Sequence, residues 1–220
     1  MYSGKVNLSF DKIIGSVNMQ SSLEIESGLR TALMKNAGLT GEEVDYFLGF
    51  LERKIFKKKE LYLSEGEISN ASAYVNKGCL RRYIIDDHFK EIIINFAIEG
   101  WWVGDLESFL LRKPTVYYIQ ALEESELLLL SHEKFLHVCE ELPKYKLYHE
   151  NKVQRNHYAT LKRLSIAKSG TQEEKYLLLM KEQPQLFQRI PLHYIASYLG
   201  IEPESLSRIR KRLSVNHKKS

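Results

Sequence analysis

Cysteine is scarce: the 220 residues hold only Cys79 and Cys139. They lie far apart, and neither stands in a Cys-x-x-Cys or Cys/His ligand spacing. A disulfide framework, a zinc site and an iron–sulfur centre are therefore not expected, and a reducing cytoplasm is the simpler setting. Proline (5) and glycine (12) are too few for a collagen-like or low-complexity chain. Long apolar runs are missing as well. The N-terminal twenty residues hold no stretch long enough for a signal peptide. The greasiest runs, Ile92–Ile94 and Leu127–Leu130, are strand-sized and too short to span a bilayer. No membrane association is expected.

Net charge is also small, +4, but it is unevenly placed. Residues 1–150 carry 18 Lys+Arg against 23 Asp+Glu, a net of −5, whereas residues 151–220 carry 14 against 5, a net of +9. A mildly acidic body thus bears a strongly basic C-terminal third, which suits an anionic partner unless the basic face is merely solvated.

What is present is a change of hydrophobic period along the chain. The first 22 residues lack periodicity and read as an irregular arm. Leu29, Leu33 and Met34 fall at helical spacing. Thr40 and Glu43 then stand at capping-box distance ahead of a second helix. From about Arg53 to Ser131 the period is that of strands: LYLSEGE, AYVNKGCLRRYIID, KEIIINFAIEG, TVYYIQAL and ELLLLS. Turns at Glu65-Gly66-Glu67, Asn76-Lys77-Gly78, Asp86-Asp87 and Glu99-Gly100 separate them. Short strands at regular spacing predict a small barrel or jelly roll.

Helical spacing returns at Ser131, with Phe135, Val138 and Leu142 on one face and a break or new start at Pro143. No Gly or Pro occurs between Lys144 and Lys168, which permits one long helix. Val153, Thr160 and Ala167, with His157 and Leu164, form a heptad-like series, while Tyr158 and Leu161 offer a competing stripe. The helix either forms a coiled-coil seam or packs on its own domain. Gly170 and Thr171 read as the end of one helix and the cap of the next, and LFQRI reads as a short strand ahead of Pro191.

Residues 192–211, LHYIASYLGIEPESLSRIRK, carry the most information. A helix-turn-helix needs a small residue where its helices touch, a turn glycine four residues on, and apolar clamps at fixed places. Ala196, Gly200, and Ile195, Leu199, Ile201, Leu206 and Ile209 meet those needs, and Pro203 suits the first turn of the second helix. Glu204, Ser205, Ser207 and Arg208 then fall on the outer side, followed by Arg210, Lys211 and Arg212. Polar groups near the N-terminus of such a helix read base edges, and basic groups further along grip phosphate. Arg208 fits a bidentate contact to guanine, and Glu204 fits cytosine N4 or simply the positive end of its own helix. Arg210, Lys211 and Arg212 fit phosphate or a solvated basic end. Gln188, Arg189 and His193 are further candidates for backbone contacts.

A strand-rich roll, a long helix and a helix-turn-helix together make the chain resemble the CRP/FNR family of transcription regulators. The resemblance covers about residues 25–215. It is carried by EGE at 65–67, GCLRRY at 78–83, GDLESF at 104–109 and the helix-turn-helix. It implies an α+β chain: a double-stranded β-helix (jelly-roll) sensor domain of cyclic-nucleotide-binding type over 23–142, a dimerisation helix over 143–168, and a winged-helix domain over 169–220. It further implies a cytoplasmic homodimer on a two-fold symmetric double-stranded operator, RNA polymerase as a partner, and no catalytic activity.

The sensor motif departs from the cyclic-AMP-binding pattern of that family, which pairs Gly-Glu with a later Arg-Ser/Thr-Ala cluster. Gly104-Asp105-Leu106 matches the first element with a shorter carboxylate, but Thr115-Val116-Tyr117 stands where the second belongs. Arg112 and Lys113 are expected on the preceding turn. Burying a phosphate without a charge-assisted partner is costly, so Gly104, Asp105, Leu106, Thr115 and Val116 are effector-pocket candidates for a small molecule other than cyclic AMP. Asp105 alternatively just caps the helix LESF, and the pocket is alternatively vestigial in a constitutive regulator. No metal or cofactor is expected, the histidines lacking ligand spacing. A cupin-type enzyme would need a His-x-His set on strands that hold only His88. After the recognition helix only a short basic tail remains where a β-hairpin wing is usual.

Overall fold

The computed structural model describes residues 27–216. The expected arm over 1–22 and the last residues of the basic tail lie outside them. Helix α1 (Ser27–Ala32) widens into a π-helical turn (Leu33–Ala37), which buries Leu29 and Leu33 but leaves Met34 exposed. Helix α2 (Gly41–Leu48) begins as its sequence predicts. Thr40 Oγ1 accepts from Glu43 N–H (3.2 Å), and the Glu43 carboxylate accepts from Thr40 N–H (2.7 Å), a complete capping box.

Eight strands follow: β1 (Glu52–Phe56), β2 (Leu61–Leu63), β3 (Ala71–Lys77), β4 (Cys79–Ile85), β5 (Glu91–Ile98), β6 (Trp102–Val103), β7 (Tyr118–Ala121) and β8 (Ser125–Ser131). They form two antiparallel sheets, ordered β1-β8-β3-β6 and β2-β7-β4-β5, the jelly roll expected. A short helix, α3 (Leu106–Leu111), lies between β6 and β7.

Strand alternation sends successive side chains to opposite faces, and here both faces of both sheets carry buried side chains. Val75, Leu80, Ala97, Ile119 and Leu127 fill the space between the sheets. Tyr74, Leu128 and Leu130 point the other way, into a second core. They meet Phe47, Phe109 and the Phe135, Val138 and Leu142 face of α4 (His132–Glu141). The leucine run of β8 is thus shared between two cores, which explains its lack of polar alternation. The second sheet turns Cys79, Tyr83, Phe96 and Ile98 outward, and these are covered by the C-terminal helices.

Helix α5 (Pro143–Ser169) starts at Pro143 and runs for 27 residues. Val153, Thr160 and Leu164 of the heptad-like series line a cavity facing the roll, although Thr160 and Leu164 stay exposed, as do Tyr158 and Leu161. The C-terminal unit comprises α6 (Gln172–Glu182), α7 (Leu186–Arg189), α8 (Leu192–Leu199) and α9 (Pro203–Asn216). Thr171 and Glu174 form a second capping box.

The expected strand LFQRI is instead α7. Leu186 and Ile190 are both buried, and Ile190 N–H bonds to the Leu186 carbonyl at 2.9 Å. Their separation is four, a helical period that also fits a short apolar run. Among the described residues no strand occurs after Ser131, so the helix-turn-helix stands there without a wing.

Candidate functional site

Two surfaces merit description, and the first is the turn between α8 and α9. Gly200 has φ +65°, where a side chain would be strained, and it closes α8 in a Schellman motif. Ile201 N–H reaches back to the Ala196 carbonyl (2.9 Å) and Gly200 N–H to that of Ser197 (3.1 Å). Ile195, Ala196, Ile201, Leu206 and Ile209 are all buried in one cluster with Tyr176 and Leu179 of α6, and Leu199 packs against it. That clamp fixes the rotation of α9 and leaves Glu204, Ser207, Arg208, Arg210, Lys211 and Arg212 exposed, with Ser205 half-buried. Arg208 Nη2 donates to Ser205 Oγ (3.1 Å) within the helix, and Arg212 pairs with Glu173 of α6.

The unit that carries α9 is docked on the outer face of the second sheet. Edge strand β5 would otherwise present unpaired backbone. There Ser197 Oγ of α8 accepts from Ile93 N–H (3.1 Å) and donates to the Glu91 carbonyl (3.3 Å). Arg81 of β4 is only 3% exposed. It donates to Glu91 and to Gln120 Oε1 (2.7 and 2.9 Å), and its guanidinium lies 4.2 Å from the Tyr83 ring and 4.4 Å from that of Tyr194 on α8. Arg189 forks onto Glu99 (2.6 and 3.0 Å) and also pairs with Glu123. Burial opposes ionisation of Glu99, but the Arg189 hydrogen bonds and backbone N–H groups, Gly78 among them, hold its carboxyl below the usual range. Arg189, a candidate for contact with a nucleic-acid backbone, is engaged by the roll instead.

The second surface is a cavity of about 560 Å³ between the roll, α5 and the docked C-terminal unit. Of the pocket candidates, Gly104, Asp105 and Leu106 line it, and Thr115 and Val116 do not. The reason is a hydrogen bond from Thr115 Oγ1 to Asp105 Oδ2 (2.8 Å), while Asp105 Oδ1 accepts from Glu107 N–H (3.1 Å) at the start of α3. Asp105 therefore caps α3, and its other oxygen is taken by the buried Thr115. Val116 faces outward, 59% exposed. Arg112 ends α3, donates to the Ser69 carbonyl (2.9 Å) and does not line the cavity.

Cations reach the cavity from elements that sequence spacing does not connect. Arg82 of β4 donates through Nη1 to the Gly104 carbonyl (3.0 Å) and lies 4.6 Å from the Tyr117 ring. Its Nε and the Oδ1 of Asn95, its cross-strand partner on β5, are buried without hydrogen-bond partners among the described residues. Lys152 of α5 lies 5.7 Å from the Tyr148 ring and 5.9 Å from that of Trp102, and no carboxylate pairs with it among the described residues. Burial pulls its ammonium down to about 8. Burial and then the Lys152 charge also lower His149. The clue to Arg82 lay in GCLRRY: on one strand Leu80 and Arg82 share the inner face, and Arg81 takes the outer.

The remaining chemistry is quiet. Burial pushes the Cys79 thiol up to about 12 and that of Cys139 to about 11, so neither is poised as a thiolate. No group of His, Cys, Asp or Glu among the described residues is arranged to hold a metal ion. No helix among them is long and apolar enough to cross a membrane.

Comparison with known proteins agrees with this architecture. Residues 53–141 match the family described as cyclic nucleotide-binding domain. No curated protein matches the chain. Among solved structures, the chain is similar to the catabolite activator protein of Thermus thermophilus: 23% identity, 84% of this chain and 87% of that one, TM-score 0.54. It is also similar to CLP of Xanthomonas campestris, a c-di-GMP-responsive global regulator, at 16% identity over 81% of this chain and 93% of that one, TM-score 0.65. FixK2 of Bradyrhizobium japonicum aligns at 15% identity over 76% of this chain and 86% of that one, TM-score 0.66. Residues 53–141 are therefore similar to cyclic nucleotide-binding domains, and the chain as a whole shares the fold of these three solved structures.

Proposed function

We propose that the protein is a sequence-specific DNA-binding transcription regulator that acts as a cytoplasmic homodimer and is not an enzyme. The observation that carries this reading is the division of α9. Leu206 and Ile209 are locked into the core, while Glu204, Ser207, Arg208, Arg210, Lys211 and Arg212 face outward. That is the surface needed to enter a major groove, polar near the helix N-terminus and basic beyond it. An apolar stripe on α5 supports the dimer: Leu147, Tyr158 and Leu161 are 59%, 64% and 49% exposed and sit at heptad-related positions. Two-fold pairing along that stripe gives two copies of α9 for the halves of a symmetric operator, with RNA polymerase the downstream partner.

Selection of bound duplexes from a random pool tests the reading directly, and a two-fold symmetric site is expected. On that site Arg208→Ala should lower discrimination among operator variants by about 1–3 kcal/mol, roughly 5–150-fold, with the dimer intact. Unchanged discrimination would remove Arg208 from the base-reading set.

The cavity supports a sensor that responds to a small effector. A vestigial pocket in a constitutive regulator is the second reading, favoured by the closed Asp105–Thr115 pair. Cyclic AMP fits poorly in either case, since Asp105 and Thr115 bond to each other and no cation of residues 104–117 lines the cavity. A ligand at about 100 times its Kd adds ~2.7 kcal/mol of stability. No rise in melting temperature with cyclic AMP is expected, and a saturable rise would overturn this reading of residues 104–117.

A further inference from the structure

We propose that the turn between β1 and β2 is a second DNA-contacting surface, in which Lys57, Lys58 and Lys59 of the roll grip the phosphates of duplex flanking the sequence that α9 reads. The inference rests on the regulator reading above and gives that partner a contact outside the helix-turn-helix.

Three observations carry it. First, the turn concentrates one sign of charge in a body of the other. Residues 1–150 have a net charge of −5, yet Arg53, Lys54, Lys57, Lys58 and Lys59 stand within seven residues. Arg53 pairs with Glu126, and the Lys54 ammonium lies 5.0 Å from the Phe56 ring. Lys57, Lys58 and Lys59 are exposed and enter no ion pair among the described residues. Second, the turn is pinned at a conformational cost. Lys59 has φ +72°, a left-handed conformation that glycine adopts freely and a lysine does not. Its N–H donates to the Ala121 carbonyl (2.8 Å), its carbonyl accepts from Gln120 Nε2 (2.9 Å), and Lys57 N–H donates to the Glu60 carboxylate (2.8 Å). Backbone strain of this kind gathers at functional sites, and here it sets three consecutive lysines on a fixed frame. Third, the turn adjoins the DNA-reading unit. Gln120 also accepts from Arg81, whose guanidinium rests on the Tyr194 ring, and the His193 ring lies 4.1 Å from that of Tyr194. His193 is exposed in the first turn of α8, the helix that crosses the phosphate backbone in a helix-turn-helix. Glu91 is paired with Arg81, and Glu99 and Glu123 with Arg189, which weakens the repulsion a phosphate would meet there. This path to α8 favours duplex over an acidic protein surface as the anion that the lysines serve.

The test compares two duplexes bound by the full chain. One is the selected symmetric site alone; the other adds about ten base pairs of random sequence, one helical turn, at each end. Wild-type protein should bind the longer duplex about tenfold or more tightly, whatever the added sequence, and with a steeper salt dependence. Each lysine that meets a phosphate adds about 0.9 to the log–log slope, so three lysines from each of two copies add at most about 5. In the variant Lys57→Gln/Lys58→Gln/Lys59→Gly the gain from the flanks should vanish, while affinity for the short duplex and discrimination among its variants stay unchanged. Glycine suits the left-handed position, and replacing all three lysines by arginine, which keeps the charge, should retain the gain. A gain that survives in the uncharged variant would pass the lysines to an acidic protein surface and overturn the assignment. Equal wild-type affinity for the two lengths, or an equal loss on both duplexes, would also overturn it. Specific binding of the short duplex with no gain from flanks defeats the lysine surface alone. A length gain without discrimination among site variants defeats the sequence-specific reading alone.

Discussion

Raising monovalent salt from about 50 to about 200 mM should weaken operator binding by about 10³–10⁵-fold, with a log–log slope set by ~6–10 phosphate contacts per dimer. Four exposed cations on α9, Arg208, Arg210, Lys211 and Arg212, become eight when the operator is held by two copies. Each neutralised phosphate releases condensed counterions, and their release loses its driving force as bulk salt rises. The Arg212–Glu173 pair should change this little, because both side chains are substantially exposed and such pairs are worth little in water. Fluorescence anisotropy across a salt series measures the slope. A nearly flat dependence, or binding of every duplex with equal weakness, would mean that α9 does not face phosphate.

The second large effect falls on stability, at Gly78→Ala. Gly78 joins β3 to β4 with φ +103°, and a Cβ built there would meet Ser125 Oγ at 2.3 Å and Ser125 Cα at 2.6 Å. The Cα belongs to β8 and cannot swing aside as a side-chain tip could. Overpacking costs about 1–3 kcal/mol, and unfavourable backbone conformation about as much again. The expected loss is therefore about 2–6 kcal/mol, seen as a lowered denaturant midpoint and a melting temperature reduced by about 4–24 °C. Gly66→Ala is the control: its φ is +85° with open space around the position, so only the backbone term of about 1–3 kcal/mol applies. Equal losses at the two sites would show that the Ser125 contact contributes nothing.

The features legible in the sequence are those whose geometry is local. Ala196, Gly200 and the clamp residues keep fixed offsets within one motif, and Thr40–Glu43 and Thr171–Glu174 do so within one helical turn. LFQRI reads as a strand, wrongly, because five residues fit both periods, and its Leu186–Ile190 spacing becomes decisive only once α6 and α8 supply a core. Asp105 fits both a cap and a ligand in the sequence, and only the Thr115 hydroxyl beside it decides between them. The cavity was out of reach. Arg82, Asn95, Trp102 and Lys152 come from four elements, and the irregular register between β4 and β5 after Arg82 decides which side chains meet inside the roll.

The adjacency of Arg81 and Arg82 has a mechanical consequence. Their Cα atoms are about 3.8 Å apart, yet one guanidinium lies in the cavity and the other against Tyr194 of α8. A tug on the inner residue is a tug on the peptide unit that seats the outer one, so a displacement inside the cavity would reach α8 across only the thickness of a single strand. The same economy makes the strand intolerant of length change. Inserting or deleting one residue ahead of Arg81 would exchange the two positions, turning Arg81 inward and Arg82 outward.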